Sequence, residues 1–144
     1  NSVSVIPRLK QLWVQPFLLA SGLKYIISQK IVKKLCPKCM IRKDITHTDI
    51  WKQYATLLWK ETLEVSFINE LWCKHCFKWF TGSIIAAEAI KIDEDIKEIL
   101  FKDISDTELK KILISKWFIP YYIDAVYKSV IGTVDFNDAI SLEY

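Results

Sequence analysis

The chain has 144 residues, of which 51% are hydrophobic, 13% aromatic and 26% charged. This composition is too apolar and too aromatic for a disordered chain, so we expect a folded globule. The net charge of +3 is spread unevenly: residues 1–80 hold 13 basic and 5 acidic residues, whereas residues 81–144 hold 7 and 12. Such asymmetry indicates one half that faces a polyanion and one that faces solvent or a partner.

The first half of the sequence is dominated by helix signals. Two helices are predicted over residues 7–14 and 16–35, each with proline at its first position, where a missing N–H costs nothing. In the second, leucines and isoleucines recur at spacings of three and four, which is typical of a helix face. A third helix is predicted with Thr46 or Thr48 as its N-cap. Residues 64–72 fit either a strand or a helix.

The second half begins with a predicted turn and continues as helices. Residues 81–83, Thr-Gly-Ser, lie between two apolar segments and predict a turn between short β strands. Beyond it, Ser105 and Glu108 form a capping box, and Pro120 opens a last helix that Gly132 closes. We therefore predict a mainly α fold with a small β zinc knuckle, stabilised by zinc as a single domain.

The charge distribution suggests how that domain is organised. The basic segment 1–82 contains the first helices and all four cysteines. The acidic segment 83–144 is predicted to be helical and to pack on the same core.

The four cysteines form two C-x-x-C pairs with 33 residues between them. A C-x-x-C turn places two sulfurs on one side of a metal ion, so two such turns can close one tetrahedral zinc site. A redox dithiol would need a helix that opens at its first cysteine, and disulfides would need an oxidising compartment. The pattern favours structural Zn²⁺ over these two alternatives. The candidate metal ligands are Cys36, Cys39, Cys73 and Cys76.

The pairs "CPKC" and "CKHC", the second followed by aromatic residues, resemble those of four-cysteine zinc-ribbon and related zinc-finger domains over residues 35–82. This resemblance implies a zinc-stabilised module that engages nucleic acid or another protein.

Basic residues cluster near the cysteines and would share one surface once the metal site closes. They are Lys33, Lys34, Lys38, Arg42, Lys43, Lys74 and Lys78. Such a patch binds phosphate backbones by releasing counterions, and Trp79 could stack on an unpaired base. Alternatively, Phe77, Trp79 and Phe80 pack against the cysteine turns, and the lysines are only solvated.

The function predicted from these features is that of a nucleic-acid-binding accessory or regulatory protein, with RNA and DNA equally open. Two alternatives remain. One is a protein-interaction module whose acidic half grips a partner through Trp117, and the other is a non-catalytic fragment of a larger enzyme. We find no catalytic motif and no phosphate-cradling glycine loop. The longest apolar run near the N terminus, residues 11–23, is shorter than the roughly 20 residues of a membrane span, so we expect it to belong to the core. Because disulfides would need an oxidising compartment and the cysteines favour zinc, we expect an intracellular, reducing compartment, cytoplasm or nucleus.

Overall fold

The structure, a computed structural model, describes residues 1–102 and 104–143. Of these residues, 42% are helical and 23% are in strands, so the prediction of a mainly α fold is wrong. The helices are α1 (Val5–Gln11), α2 (Pro16–Gly22), α3 (Asp49–Leu58), α4 (Glu94–Leu100), α5 (Asp106–Ser115), α6 (Tyr121–Val130) and α7 (Phe136–Ile140), followed by a 3-10 turn (Ser141–Glu143). The strands are β1 (Tyr25–Leu35), β2 (Ile41–Asp44), β3 (Glu64–Phe67) and β4 (Phe80–Lys91).

The largest correction concerns residues 16–35, which were predicted as one helix. The helix ends at Gly22, and β1 begins three residues later. Isoleucine and valine supply the apolar positions of β1, and branching at Cβ favours the extended backbone over the helix. The spacing of apolar residues by three and four in this stretch was therefore coincidental, and the preference of β-branched residues for strands decided the secondary structure.

The predicted turn at residues 81–83 is also wrong. Those residues lie within β4, and the chain reverses earlier, where Phe77 and Phe80 pair as an antiparallel bridge. The two turn residues, Lys78 and Trp79, have φ values of 46° and 72°. This is the geometry of a tight hairpin turn that ordinarily selects Asn-Gly, so no sequence signal pointed to it.

The strands form two small sheets. β1 pairs with β4, and β2 pairs antiparallel with β3 in the register that sets Arg42 opposite Ser66. Residues 64–72, which fitted either structure, contain β3 and no helix.

Several helix signals are confirmed. Thr48 caps α3 by accepting a hydrogen bond from the Trp51 amide. Ser105 and Glu108 cap α5 reciprocally, as a capping box requires. Pro120 immediately precedes α6. None of the helices in the described ranges combines the length and apolar character that crossing a bilayer requires.

The described residues divide into two compact units. Unit 1 comprises Asn1–Gln29 and Glu88–Ile119, and unit 2 comprises Lys30–Ala87 and Pro120–Tyr144. Each has its own buried cluster, built around Ile96 and Leu100 in unit 1 and around Val65 and Val126 in unit 2. Both of the segments distinguished by charge, 1–82 and 83–144, contribute residues to each unit.

Gly132 provides a test of the packing in unit 2. It has a φ of +84°, and a Cβ there would lie 2.9 Å from Cε of Met40. Gly132→Ala should lower the free energy of unfolding by about 1–3 kcal/mol, because the left-handed backbone penalises a side chain, whereas the flexible end of Met40 can move aside. Urea titration measures the change.

Gly22→Ala is the matched control. Gly22 ends α2, and a Cβ there would meet nothing within 4 Å. The substitution should be neutral or stabilising by up to about 1 kcal/mol. Equal losses in the two variants would contradict the structure around Gly132.

Candidate metal centre

The four cysteines lie in two loops of unit 2. Cys36 and Cys39 lie between β1 and β2, where amides of Cys39 and Met40 donate to the Cys36 carbonyl at 3.4 and 3.1 Å. Cys73 and Cys76 lie in the segment of residues 68–79, between β3 and β4, which we call the cysteine loop. The Cys36 amide donates to the Trp79 carbonyl at 2.8 Å, so the backbone itself brings the two loops together.

The four sulfur atoms form a compact cluster in which all lie within 4.8 Å of one another. The Sγ atoms of Cys36 and Cys73 are 3.7 Å apart, those of Cys39 and Cys76 3.6 Å, and those of Cys73 and Cys76 3.8 Å. A disulfide bond is about 2.05 Å long, and all four cysteines are free. Sulfurs about 2.3 Å from a tetrahedral zinc ion would be about 3.8 Å apart, so the cluster fits zinc.

Burial and hydrogen bonding affect the thiols unequally. Burial raises the pKa of Cys39 to about 12. Burial also acts to raise the pKa of Cys36, but hydrogen bonds from the Lys38 backbone, and from Cys73 and Cys39, outweigh it and lower the pKa to about 7. Four thiolates at these separations would repel one another strongly. A cation at their centre would therefore be needed for all four to act as thiolate ligands.

The cysteine loop lacks the support of a hydrophobic core. Among the described residues, neither buried cluster includes any from 68 to 83. The loop is held at its start by Asp135, whose carboxylate accepts from the Ile68 amide at 2.9 Å. Near its end, Trp79 meets Trp72 edge-on, with ring centroids 5.2 Å apart. A metal ion held by the four cysteines would therefore add order to this loop.

No motif in the sequence pointed to a functional role for Asp135. It is 3% exposed and caps α7 by accepting from the amides of Asn137 and Asp138. Its position just ahead of a helix was the only signal available. That signal predicts a cap and says nothing of the hydrogen bond to Ile68.

The basic residues predicted near the cysteines differ in their surroundings. Lys34, Lys38 and Lys74 are exposed. The remaining exposed lysines place their ammonium groups over aromatic rings, at 4.9 Å for Lys33 on Phe80, 5.3 Å for Lys43 on Phe67 and 5.6 Å for Lys78 on Phe77.

Arg42 and Trp79 are engaged within the protein. Arg42 donates to Oγ of Ser66 at 2.9 Å and to the Ser129 carbonyl at 3.3 Å, and it pairs with Glu64 at 3.2 Å. Trp79 is half-buried against Trp72, and its indole nitrogen is buried without a hydrogen-bond partner among the described residues. A guanidinium and an indole held in this way are structural groups in this fold.

Comparison with known proteins points to a different class from the one predicted. The family model for type II/IV secretion system proteins matches residues 1–139. The type IV pilus assembly ATPase TfpB of Acinetobacter baylyi is 26% identical over 141 residues, which are 97% of this chain and 24% of the relative. A putative type II secretion system protein E of Escherichia coli is 27% identical over 116 residues, 78% of this chain and 22% of the relative.

A third relative extends the range of organisms. The type IV pilus assembly ATPase PilB of Thermus thermophilus is 21% identical over 142 residues, which cover 98% of this chain and 16% of the relative. The chain thus spans about a quarter or less of the length of these relatives.

These matches correct the interpretation of the sequence. The resemblance to zinc-ribbon and zinc-finger domains is wrong as a family assignment, because the matched family is that of secretion system proteins. The predicted function as a nucleic-acid-binding protein, with RNA or DNA as partner, is wrong on the same finding. The zinc ion and its four ligands stay a prediction.

Substitution of Arg42 tests whether this residue stabilises the fold, the role assigned to it here in place of phosphate binding. Arg42→Gln should lower the free energy of unfolding by about 1–3 kcal/mol, because Ser66 and the Ser129 carbonyl lose a charged donor. Thermal or urea unfolding measures the loss. Lys43→Gln is the control, since the exposed side chain of Lys43 contributes at most about 1 kcal/mol through Phe67. Equal effects of the two substitutions would contradict the assignment.

Proposed function

Because the chain belongs to the family of type II/IV secretion system proteins, we propose that it acts as a structural part of a secretion or pilus assembly ATPase, one stabilised by zinc. The match over residues 1–139 carries this proposal. Of the functions predicted from the sequence, it favours the non-catalytic fragment of a larger enzyme. The partners of such a part are other components of the secretion machinery.

The residues of this chain do not fit a nucleotide. A phosphate-cradling loop needs closely spaced glycines followed by lysine and serine or threonine. The three glycines are Gly22, Gly82 and Gly132, too far apart to share a loop, and none is followed by lysine. We therefore assign no step of ATP hydrolysis to this chain.

The residues do fit zinc as a structural ion. Cys36, Cys39, Cys73 and Cys76 would hold Zn²⁺ as four thiolates, and the bound ion would act as a crosslink without redox chemistry. The link would join positions 37 residues apart, 36 with 73 and 39 with 76. Four thiol ligands require a reducing environment, which supports an intracellular site of action.

The zinc centre is tested by removing one ligand. Cys73→Ser should abolish stoichiometric zinc and lower the free energy of unfolding by about 2–5 kcal/mol, as loss of a native crosslink does. Elemental analysis and thermal unfolding, with and without a chelator, measure both effects. Ser83→Ala, an exposed position near the loop, should change neither. A parent protein that folds fully without metal would overturn the zinc proposal.

The structural role is tested by titration with Mg-ATP. We expect no saturable binding to this chain by calorimetry, with the zinc-loaded parent as the sample, because it lacks a loop that could hold the phosphates. A commercial P-loop ATPase is the positive control. Stoichiometric binding of Mg-ATP to this chain would contradict a purely structural contribution.

A further inference from the structure

The cysteine loop exposes large apolar side chains at its tip. Leu71 is 77% exposed, Trp72 51% and Phe77 79%. Burial of Phe77 against the cysteine turns, one of the alternatives from the sequence, therefore does not occur. All three residues lie within seven positions of one another and flank the Cys73–Cys76 turn. A soluble surface gains nothing from such exposure, so this concentration indicates a contact with something apolar.

The residues that follow Leu71 carry positive charge only, although exposed Glu70 lies immediately before it. Residues 71–83 contain Lys74 and Lys78 and no aspartate or glutamate. Lys74 and Phe77 line one open depression of about 560 Å³ together with His75, Phe80 and Gly82. Lys78 lies over the ring of Phe77 at 5.6 Å. The apolar tip thus carries positive charge on the same surface.

The backbone of the tip is held in a costly conformation. Lys78 and Trp79 both adopt positive φ values, 46° and 72°, although both carry large side chains. The Phe77 and Phe80 amides and carbonyls hydrogen-bond reciprocally at 3.1 Å across this turn. Strained backbone of this kind persists where the surrounding structure enforces it, and such positions cluster at functional sites. Here the turn presents Phe77 outward between Lys74 and Lys78.

We propose that the tip of the cysteine loop, Leu71, Trp72 and Phe77 with Lys74 and Lys78, is a peripheral contact for an anionic lipid membrane. Aromatic side chains are favoured at the headgroup level of a bilayer. Neighbouring lysines reach anionic headgroups while their stems lie along apolar groups. The charge of the tip is complementary to such a surface. This proposal does not depend on the ATPase assignment.

Vesicle co-sedimentation tests the proposal with the zinc-loaded 144-residue chain. We expect binding to phosphatidylcholine vesicles in which roughly a quarter of the lipid is phosphatidylglycerol, weakening as salt rises. Leu71→Ser with Phe77→Ser should reduce the partition coefficient about a hundredfold, about tenfold for each large apolar group removed. Lys74→Gln with Lys78→Gln should reduce it about 25-fold, roughly fivefold per lysine.

The matched controls lie in unit 1. Phe101, which is 59% exposed, is replaced by serine, and exposed Lys24 and Lys102 by glutamine. These variants should bind within about twofold of the parent. Zinc content and melting temperature should be unchanged in every variant, because all the side chains replaced are exposed. Those two readouts separate loss of the contact from loss of the fold.

Three results would overturn the proposal. The first is a parent chain that remains in the supernatant with anionic vesicles at low salt, which would leave the tip as a surface for a protein partner. The second is equal binding to pure phosphatidylcholine vesicles. The third is binding that the tip variants retain in full, since another surface would then be responsible.

Discussion

The four-sulfur cluster is the constraint on which the architecture of unit 2 depends. It joins the loop between β1 and β2 to the loop between β3 and β4, with Sγ atoms 3.7 Å apart between Cys36 and Cys73 and 3.6 Å apart between Cys39 and Cys76. Among the described residues, those from 68 to 83 contribute nothing to either buried cluster. A loop without core packing loses conformational entropy on ordering and recovers little by burial. A metal crosslink would supply the missing free energy.

The loop in turn determines what unit 2 can present to its surroundings. Its end is fixed by the hydrogen bond from Cys36 to Trp79, and its start by Asp135. Between these points the side chain of Phe77 projects into solvent. The four cysteines and the exposed tip thus belong to one segment, so an ion bound by the cysteines would also help to fix the direction of its apolar side chains.

Sequence reasoning succeeded where the signal was local. The cap at Thr48 and the capping box at Ser105 involve residues within one helical turn of each other, and both are present. Prediction from the sequence failed at β1, where a helical spacing of apolar residues competed with the preference of β-branched residues for strands. It also failed at the Lys78–Trp79 turn, because neither residue type is typical of a left-handed backbone. Arg42 was assigned to phosphate because its partners Ser66 and Ser129 are distant in the chain. Composition and the spacing of residues did not reveal the family either.

X-ray absorption at the zinc K-edge of the purified chain tests the central claim most directly. The account predicts one zinc ion per chain, surrounded by four sulfur atoms at about 2.3 Å. It also predicts no nitrogen or oxygen in the first coordination shell, because the cluster consists of four cysteine sulfurs. Substoichiometric metal in a folded chain, or a shell that contains nitrogen or oxygen, would contradict it.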